Sequence, residues 1–318
     1  MSRMLLLLAA IVAAVSPAAA EEGHRLLVQG NGRLAIVTAA GETEWEMPWG
    51  PIHDVHMLPG GNFMVQQGMS KVVEIDPAKK EVVWSYDAAR SNGNEGRRVE
   101  VHGFQPLGEG RVMLAESGPA RIIEIDREGK LLHELKLKVE NPNAHSDTRL
   151  ARKLANGNYL VSHEADGAVR EYDAKTGEVV WEYAVPLFER ERRGGHGPEA
   201  FGNQVFAAIR LPSGNTLIAT GNGHSVLEVN PEKEIVWKLE QEELPGIRLA
   251  WVTTLDVLPN GNYVIGNCHA GAGQPLVVEI EPKSKRVVWQ FDRFETFGNS
   301  VPNTLLLDNA LASMGAGL

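Results

Sequence analysis

The sequence predicts an all-β, six-bladed propeller built from four-stranded antiparallel blades. Three recurring features predict it: a glycine turn, an acidic strand end and a tryptophan strand. Five turns share a Leu-small-small-Gly-polar pattern: Leu58-Pro-Gly-Gly-Asn62, Leu107-Gly-Glu-Gly-Arg111, Leu154-Ala-Asn-Gly-Asn158, Leu211-Pro-Ser-Gly-Asn215 and Leu258-Pro-Asn-Gly-Asn262. Their leading leucines are 49, 47, 57 and 47 residues apart. Repeats of roughly 40–50 residues with four strands each are propeller blades.

Each unit reads in the same order. One strand precedes the turn, and a short apolar strand such as Asn62-Phe-Met-Val65 or Asn262-Tyr-Val-Ile265 follows it. The next strand ends on an acid or amide, as in Val73-Glu-Ile-Asp76, Ile123-Glu-Ile-Asp126 and Leu227-Glu-Val-Asn230. The last carries an aromatic: Val82-Val-Trp84, Val179-Val-Trp181, Ile235-Val-Trp237 and Val287-Val-Trp289, with Leu131-Leu-His133 in the second unit. Gly beside Asn or Asp supplies the positive φ of tight hairpins, and Pro77 and Pro282 start turns at a fixed φ. The tryptophans are expected to stack between blades.

The ends complete the count. Arg25-Leu-Leu-Val28, Leu34-Ala-Ile-Val37 and Thr43-Glu-Trp45 are the last three strands of a unit, and Ser300 to Leu307 reads as a lone first strand. Pairing a C-terminal strand with three N-terminal strands closes the ring and leaves no free sheet edge. The expected layout is a signal peptide over 1–20, one propeller domain over 21–308 and a frayed, disordered tail over 309–318.

The leader reading rests on Arg3, the apolar run Leu5 to Val15 and the small residues Ala18 to Ala20 before Glu21. That run is too short to span a bilayer, so no transmembrane anchor is expected and the location is periplasmic or secreted. Without Arg3 there remain 30 basic against 41 acidic side chains, which argues against nucleic acid as a partner. Cys268 is the only cysteine, so no internal disulfide can form.

Asp173-Ala-Lys-Thr176-Gly177-Glu-Val-Val-Trp181 resembles the tryptophan-docking repeat of quinoprotein (PQQ) dehydrogenase-like propellers. The Leu-Pro-x-Gly-Asn turn with Val-x-Glu-Ile-Asp-Pro and Val-Val-Trp is similar to the arylsulfotransferase-like branch of that superfamily. The chain departs from the dehydrogenases: it lacks the length for eight blades, a vicinal cysteine pair and a Cys-x-x-Cys-His haem site. PQQ is therefore not expected despite the repeat, and no other cofactor is assigned.

The connections between blades, and those between second and third strands, are the longer ones and share one face; the short turns share the other, plain face. Function gathers on longer loops. These loops hold His53, His102, His145 with Arg149, His196 with Glu199 and Asn203, and Trp251. The loops after the second strands add His163-Glu164, His224 and Asn267-Cys268-His269. In a closed ring the starts of the innermost strands converge on the axis, so His53, His102, His145, Arg149, His196 and Trp251 are expected to line one pocket. His24, His56 and His133 read as ordinary polar residues, Cys268 as a buried filler and Arg190 to Arg193 as a solvated charge run.

Histidine can act as base, nucleophile or metal ligand. The arylsulfotransferase resemblance implies that one histidine takes a sulfuryl group covalently while Arg149 and the other histidines hold its oxygens. His145 is the first choice of nucleophile, with His53, His102 and Arg149 as catalytic partners. His196, Glu199, Asn203, Trp251, His163, Glu164, His224, Asn267 and His269 are the candidate substrate-binding residues. One alternative is a non-catalytic propeller that binds a small molecule, a glycan or a protein partner. Another is a metal-dependent hydrolase or lactonase whose ion is held by several histidines with Glu164 or Glu199.

Overall fold

The computed structural model describes residues 23–310, so the leader-like segment and residues 311–318 lie outside the described residues. Among the described residues, six four-stranded antiparallel sheets stand around an axis. The first blade joins β1 (Leu26–Gly30), β2 (Arg33–Val37) and β3 (Thr43–Pro48) to the last strand of the chain, β24 (Thr304–Leu306). The second holds β4 (Val55–Met57), β5 (Phe63–Gln67), β6 (Lys71–Asp76) and β7 (Glu81–Asp87). The third holds β8 (Glu100–Pro106), β9 (Val112–Ser117), β10 (Arg121–Ile125) and β11 (Leu131–Lys136). The fourth holds β12 (Ala151–Lys153), β13 (Tyr159–His163), β14 (Ala168–Tyr172) and β15 (Val179–Ala184). The fifth holds β16 (Ala207–Arg210), β17 (Thr216–Ala219), β18 (Val226–Val229) and β19 (Ile235–Leu239). The sixth holds β20 (Trp251–Val257), β21 (Tyr263–Cys268), β22 (Val277–Glu281) and β23 (Arg286–Phe291).

Ring closure is the expected one. β24 pairs antiparallel with β1, Leu26 opposite Leu306 and Val28 opposite Thr304, so the chain's two ends share one sheet.

The repeat motif has a physical cause. The turn asparagine donates across its hairpin to the glutamate of the third strand: Asn62 to Glu74 at 2.6 Å, Asn158 to Glu171 at 2.7 Å, Asn215 to Glu228 at 2.6 Å and Asn262 to Glu279 at 2.5 Å. Where the third blade has Arg111 instead, its guanidinium lies 3.7 Å from Glu124. The same glutamate sits opposite the outer-strand aromatic, as in Glu74 with Trp84, and a bulge follows it in five blades. Turn glycines such as Gly61 and Gly157 have φ near +90°, which a side chain would strain.

The tryptophans join blades as expected. Four indole N–H groups donate to a turn carbonyl of the next blade, Trp45 to Pro77 at 2.8 Å, Trp84 to Arg127 at 2.7 Å, Trp181 to Pro231 at 3.3 Å and Trp237 to Pro282 at 2.9 Å, while Trp289 packs edge-on against His24. His133 replaces tryptophan in the third blade by stacking on Tyr159, 5.9 Å between centroids. Apolar clusters fill the space between neighbouring blades, for example Leu26, Val28 and Leu306 with Val264, Val277 and Phe297. No helix of the described residues is long and apolar enough to cross a membrane.

Candidate functional site: an axial cavity at the starts of the inner strands

β4, β8, β12, β16, β20 and β24 are the first strands of their blades and surround the axis in the same direction. The residues at their starts therefore converge. His53 precedes β4, Arg149 precedes β12, Phe206 precedes β16, Trp251 opens β20 and Pro302 precedes β24, and all five line one cavity of about 420 Å³. His145, Glu164, His196, Gln204, Cys268 and His269 complete its functional wall. His102, on β8, is fully buried behind that wall, its ring 4.5 Å from His53 and 5.3 Å from His145.

One pole of the cavity is organised by Glu100, which sequence reading missed. Glu100 opens β8 and is 3% exposed; His102, two residues on, is the unpaired residue of a bulge between Val101 and Gly103, and its ring turns to the Glu100 carboxylate. Its Oε2 lies 2.7 Å from His145 Nδ1 and 3.1 Å from His102 Nε2, while Arg98 holds Oε1 at 2.6 and 3.0 Å. Burial acts to raise the Glu100 carboxyl, but hydrogen bonds from His102, His145 and Arg98 win and hold it well below the usual carboxylate range.

These contacts assign the protons. Arg149 only donates, and its Nη1 is 2.6 Å from His102 Nδ1, so His102 accepts there and donates from Nε2 to Glu100. Burial, with the Arg149 charge, lowers the His102 imidazole to about 4 and keeps it neutral. His145 donates Nδ1–H to Glu100, and its Nε2 has no partner among the described residues. Its side chain is about half exposed, at 49%, and lines the cavity. His53 gives Nδ1–H to Gln66 Oε1 at 3.2 Å, which leaves Nε2 with its lone pair. Burial and the neighbouring His102 and Arg149 push His53 well below its ordinary range. Arg149 also pairs with Glu164, and Gln204 donates to the other Glu164 oxygen at 3.0 Å. Nη2 of Arg149 finds no acceptor among the described residues.

The opposite pole is aromatic. His196 lies over Trp251 at 4.9 Å and against His269 at 5.2 Å. Burial and then His196 lower the His269 imidazole. The loop carrying His196 is strapped by Arg190, whose guanidinium sits 3.6 Å above the Phe201 ring, and by Arg192 on Asn203 at 3.1 Å. Two of these arginines thus act as fasteners of the loop.

The remaining candidates do other work. His163 is buried between the Asp147 carbonyl and the Tyr172 hydroxyl, both 2.8 Å away. His224 is buried between the Ala250 and Ala200 carbonyls, both 2.5 Å away. Asn267 bonds the backbone of Ala250 and Arg248, and Asn203 bonds Val185. Glu199 is exposed and does not line the cavity. Asp147, although close to His145 in sequence, turns its carboxylate to the backbone of Gly118 and Asn143. A loop histidine that ties two carbonyls looks, in sequence, like one that faces a ligand.

The short-turn face is not plain. A second axial cavity of about 340 Å³ opens there, lined by His56, Arg152 and Asp256 among apolar residues. Between the two cavities Asp54, fully buried, accepts two bonds from Arg152 at 2.7 and 2.9 Å and one from the Phe104 N–H at 3.1 Å. Asn309 closes over Asp256, donating to it at 2.7 Å.

Comparison with known proteins agrees with the propeller fold. A family profile described as outer membrane protein assembly factor BamB, of the PQQ-like repeat type, matches residues 30–292. No curated protein matches the chain. Among solved structures, a Bacteroides caccae protein of unknown function is 24% identical, with TM-score 0.70, over 89% of this chain and 98% of that one. Streptogramin B lyase is 13% identical, with TM-score 0.55, over 86% of this chain and 80% of that one. Virginiamycin B lyase from Staphylococcus aureus is 13% identical, with TM-score 0.52, over 86% and 85%. At such identities the likeness is one of fold.

Proposed function

The chain belongs to the PQQ-like repeat propeller family described as outer membrane protein assembly factor BamB, and we propose that its axial cavity is a group-transfer site with His145 as nucleophile. The observation that carries this reading is the Glu100–His145 pair. A buried carboxylate takes Nδ1–H and so leaves the Nε2 lone pair free at the wall of a cavity. The leader-like residues 1–20 support action in the periplasm or outside the cell.

The substrate class is an aryl sulfate. Phe206, Trp251 and the imidazoles offer flat partners for an aromatic ring, and the Arg149 guanidinium offers an N–H donor to a sulfuryl oxygen. His145 Nε2 attacks sulfur, the sulfur–oxygen bond to the ring breaks, and its electron pair leaves on the phenolate. Glu100 offsets the positive charge gained by the imidazole. An acceptor hydroxyl then attacks sulfur, its proton passes to His53 Nε2, and the nitrogen–sulfur pair returns to His145.

Release of 4-nitrophenol from 4-nitrophenyl sulfate, with a phenol as acceptor, tests this directly. Glu100→Gln is expected to lower the rate by roughly 10²-fold or more, the order of loss when a group that stabilises developing charge in the transition state is removed. No turnover, with wild type indistinguishable from His145→Ala, removes the reading.

A second reading has its own observation. Val83, Leu132, Val180 and Val236 are exposed at the same place in the outer strands of four successive blades. This apolar rim favours a protein-binding role, which the family description also fits.

A further inference from the structure

We propose that Glu100, His102 and His145 form a three-ligand site for a divalent transition metal, zinc above all, directly behind the cavity-lining imidazole of His145. One donor atom from each of the three lies within 4.8 Å of the others, and Glu100 Oε2 is 2.7 Å from His145 Nδ1 and 3.1 Å from His102 Nε2. Zinc prefers this nitrogen–oxygen set, and catalytic-type sites use three protein ligands with one position left for water or another small ligand.

The geometry is close to what an ion needs. Tetrahedral ligands at about 2.0–2.1 Å from zinc stand roughly 3.3 Å apart. The two contacts of Glu100 Oε2 are 2.7 and 3.1 Å, shorter by a few tenths because protons bridge them. One ion in place of two bridging protons requires a small opening at Glu100 and brings the two imidazole nitrogens, held within 4.8 Å, to the same spacing. His145, half exposed on its loop, can supply that movement.

The surroundings also suit a ligand set. Arg98 holds the outer oxygen of Glu100, which orients the inner one. His102 Nδ1 lies 3.2 Å from the Thr148 carbonyl. When Nε2 binds metal, the ring proton moves to Nδ1 and that carbonyl takes it, the usual outer partner of a ligating histidine. The same change ends the Arg149 to His102 bond and frees a guanidinium N–H for an oxyanion in the cavity.

Metal and proton therefore compete for the same atoms. Zinc on His145 Nδ1 puts the ring proton on Nε2 and removes the lone pair that attacks sulfur. Inhibition by zinc rests on the transfer reading given above; the metal site itself does not.

Calorimetric titration of the full chain with zinc chloride, paired with elemental analysis after desalting, tests the site without any activity measurement. One zinc per chain is expected. Affinity should fall at least about 10-fold in His145→Ala and in Glu100→Gln, since loss of even an outer partner of a ligand costs 10–100-fold. His196→Ala, across the cavity, should bind as wild type does. His145→Ala keeps the test sound if Glu100→Gln does not fold, because His145 is half exposed. No stoichiometric zinc on the folded wild type, undiminished binding by His145→Ala, or binding lost in His196→Ala overturns the assignment. Turnover of aryl sulfate in the absence of zinc binding would sink this proposal and leave the transfer reading standing.

Discussion

Replacing Asp54 by alanine should lower stability more than any other single change at the axis. Asp54 is fully buried and ties four inner strands: it carries β4, accepts from Phe104 on β8 and Arg152 on β12, and lies 3.4 Å from Asn303 beside β24. Removing Asp54 leaves a partly hydrated Arg152 and the buried Phe104 N–H without their acceptor, which costs roughly 3 kcal/mol. For a domain of this size that corresponds to a fall in Tm of about 10 °C. The pair also gives stability a pH dependence. Burial acts to raise the Asp54 carboxyl, but Arg152 and His56 lower it to about 2. A depressed carboxyl contributes its stabilisation above the unfolded value near 4 and loses it as pH falls through about 2, an effect of about 2 kcal/mol. Thermal unfolding of wild type and Asp54→Asn from pH 6 to pH 2 should show a gap in Tm that narrows below pH 4. A gap that stays constant, or an Asp54→Ala protein that melts within about 3 °C of wild type at neutral pH, would refute this view of the axis.

Two further outcomes follow from burial. Leu306→Ala keeps the strand backbone that closes the ring but empties a 1% exposed site beside Leu26 and Phe297, and should cost about 2–5 kcal/mol by chemical denaturation; a loss below about 1 kcal/mol would show that the closing strand packs loosely. Cys268 is 1% exposed and burial pushes its thiol up to about 12, so a thiol-disulfide reagent at pH 8 should label it only after unfolding. Rapid labelling of the native protein would contradict that.

Much of the scaffold was readable because propeller repeats write their geometry locally. The Leu58, Leu107, Leu154, Leu211 and Leu258 turns each report a contact within one hairpin, the Val-Val-Trp strands report contact with the next blade, and the three-plus-one ends report the closing pair of the ring. The convergence of His53, Arg149 and Trp251 followed from topology alone. What topology could not supply was the role of each side chain. His163 ends, and His224 follows, the second strand of its blade on the same long-loop face as His145, yet backbone carbonyls consume them. Glu100 was hidden because a bulge at His102 breaks the strand alternation that would have paired the two side chains, and a glutamate among 41 acidic residues carries no mark of burial. Asp54 was hidden for a related reason: its partner Arg152 lies 98 residues away.

The most direct measurement is the site of modification when the chain is given an aryl sulfate and no acceptor, then quenched and mapped by peptide mass spectrometry. A sulfuryl group on His145, absent from the Glu100→Gln protein at the same time point, is the predicted result. Phenol release with the group on another imidazole, or on none, would contradict the role given to the Glu100–His145 pair.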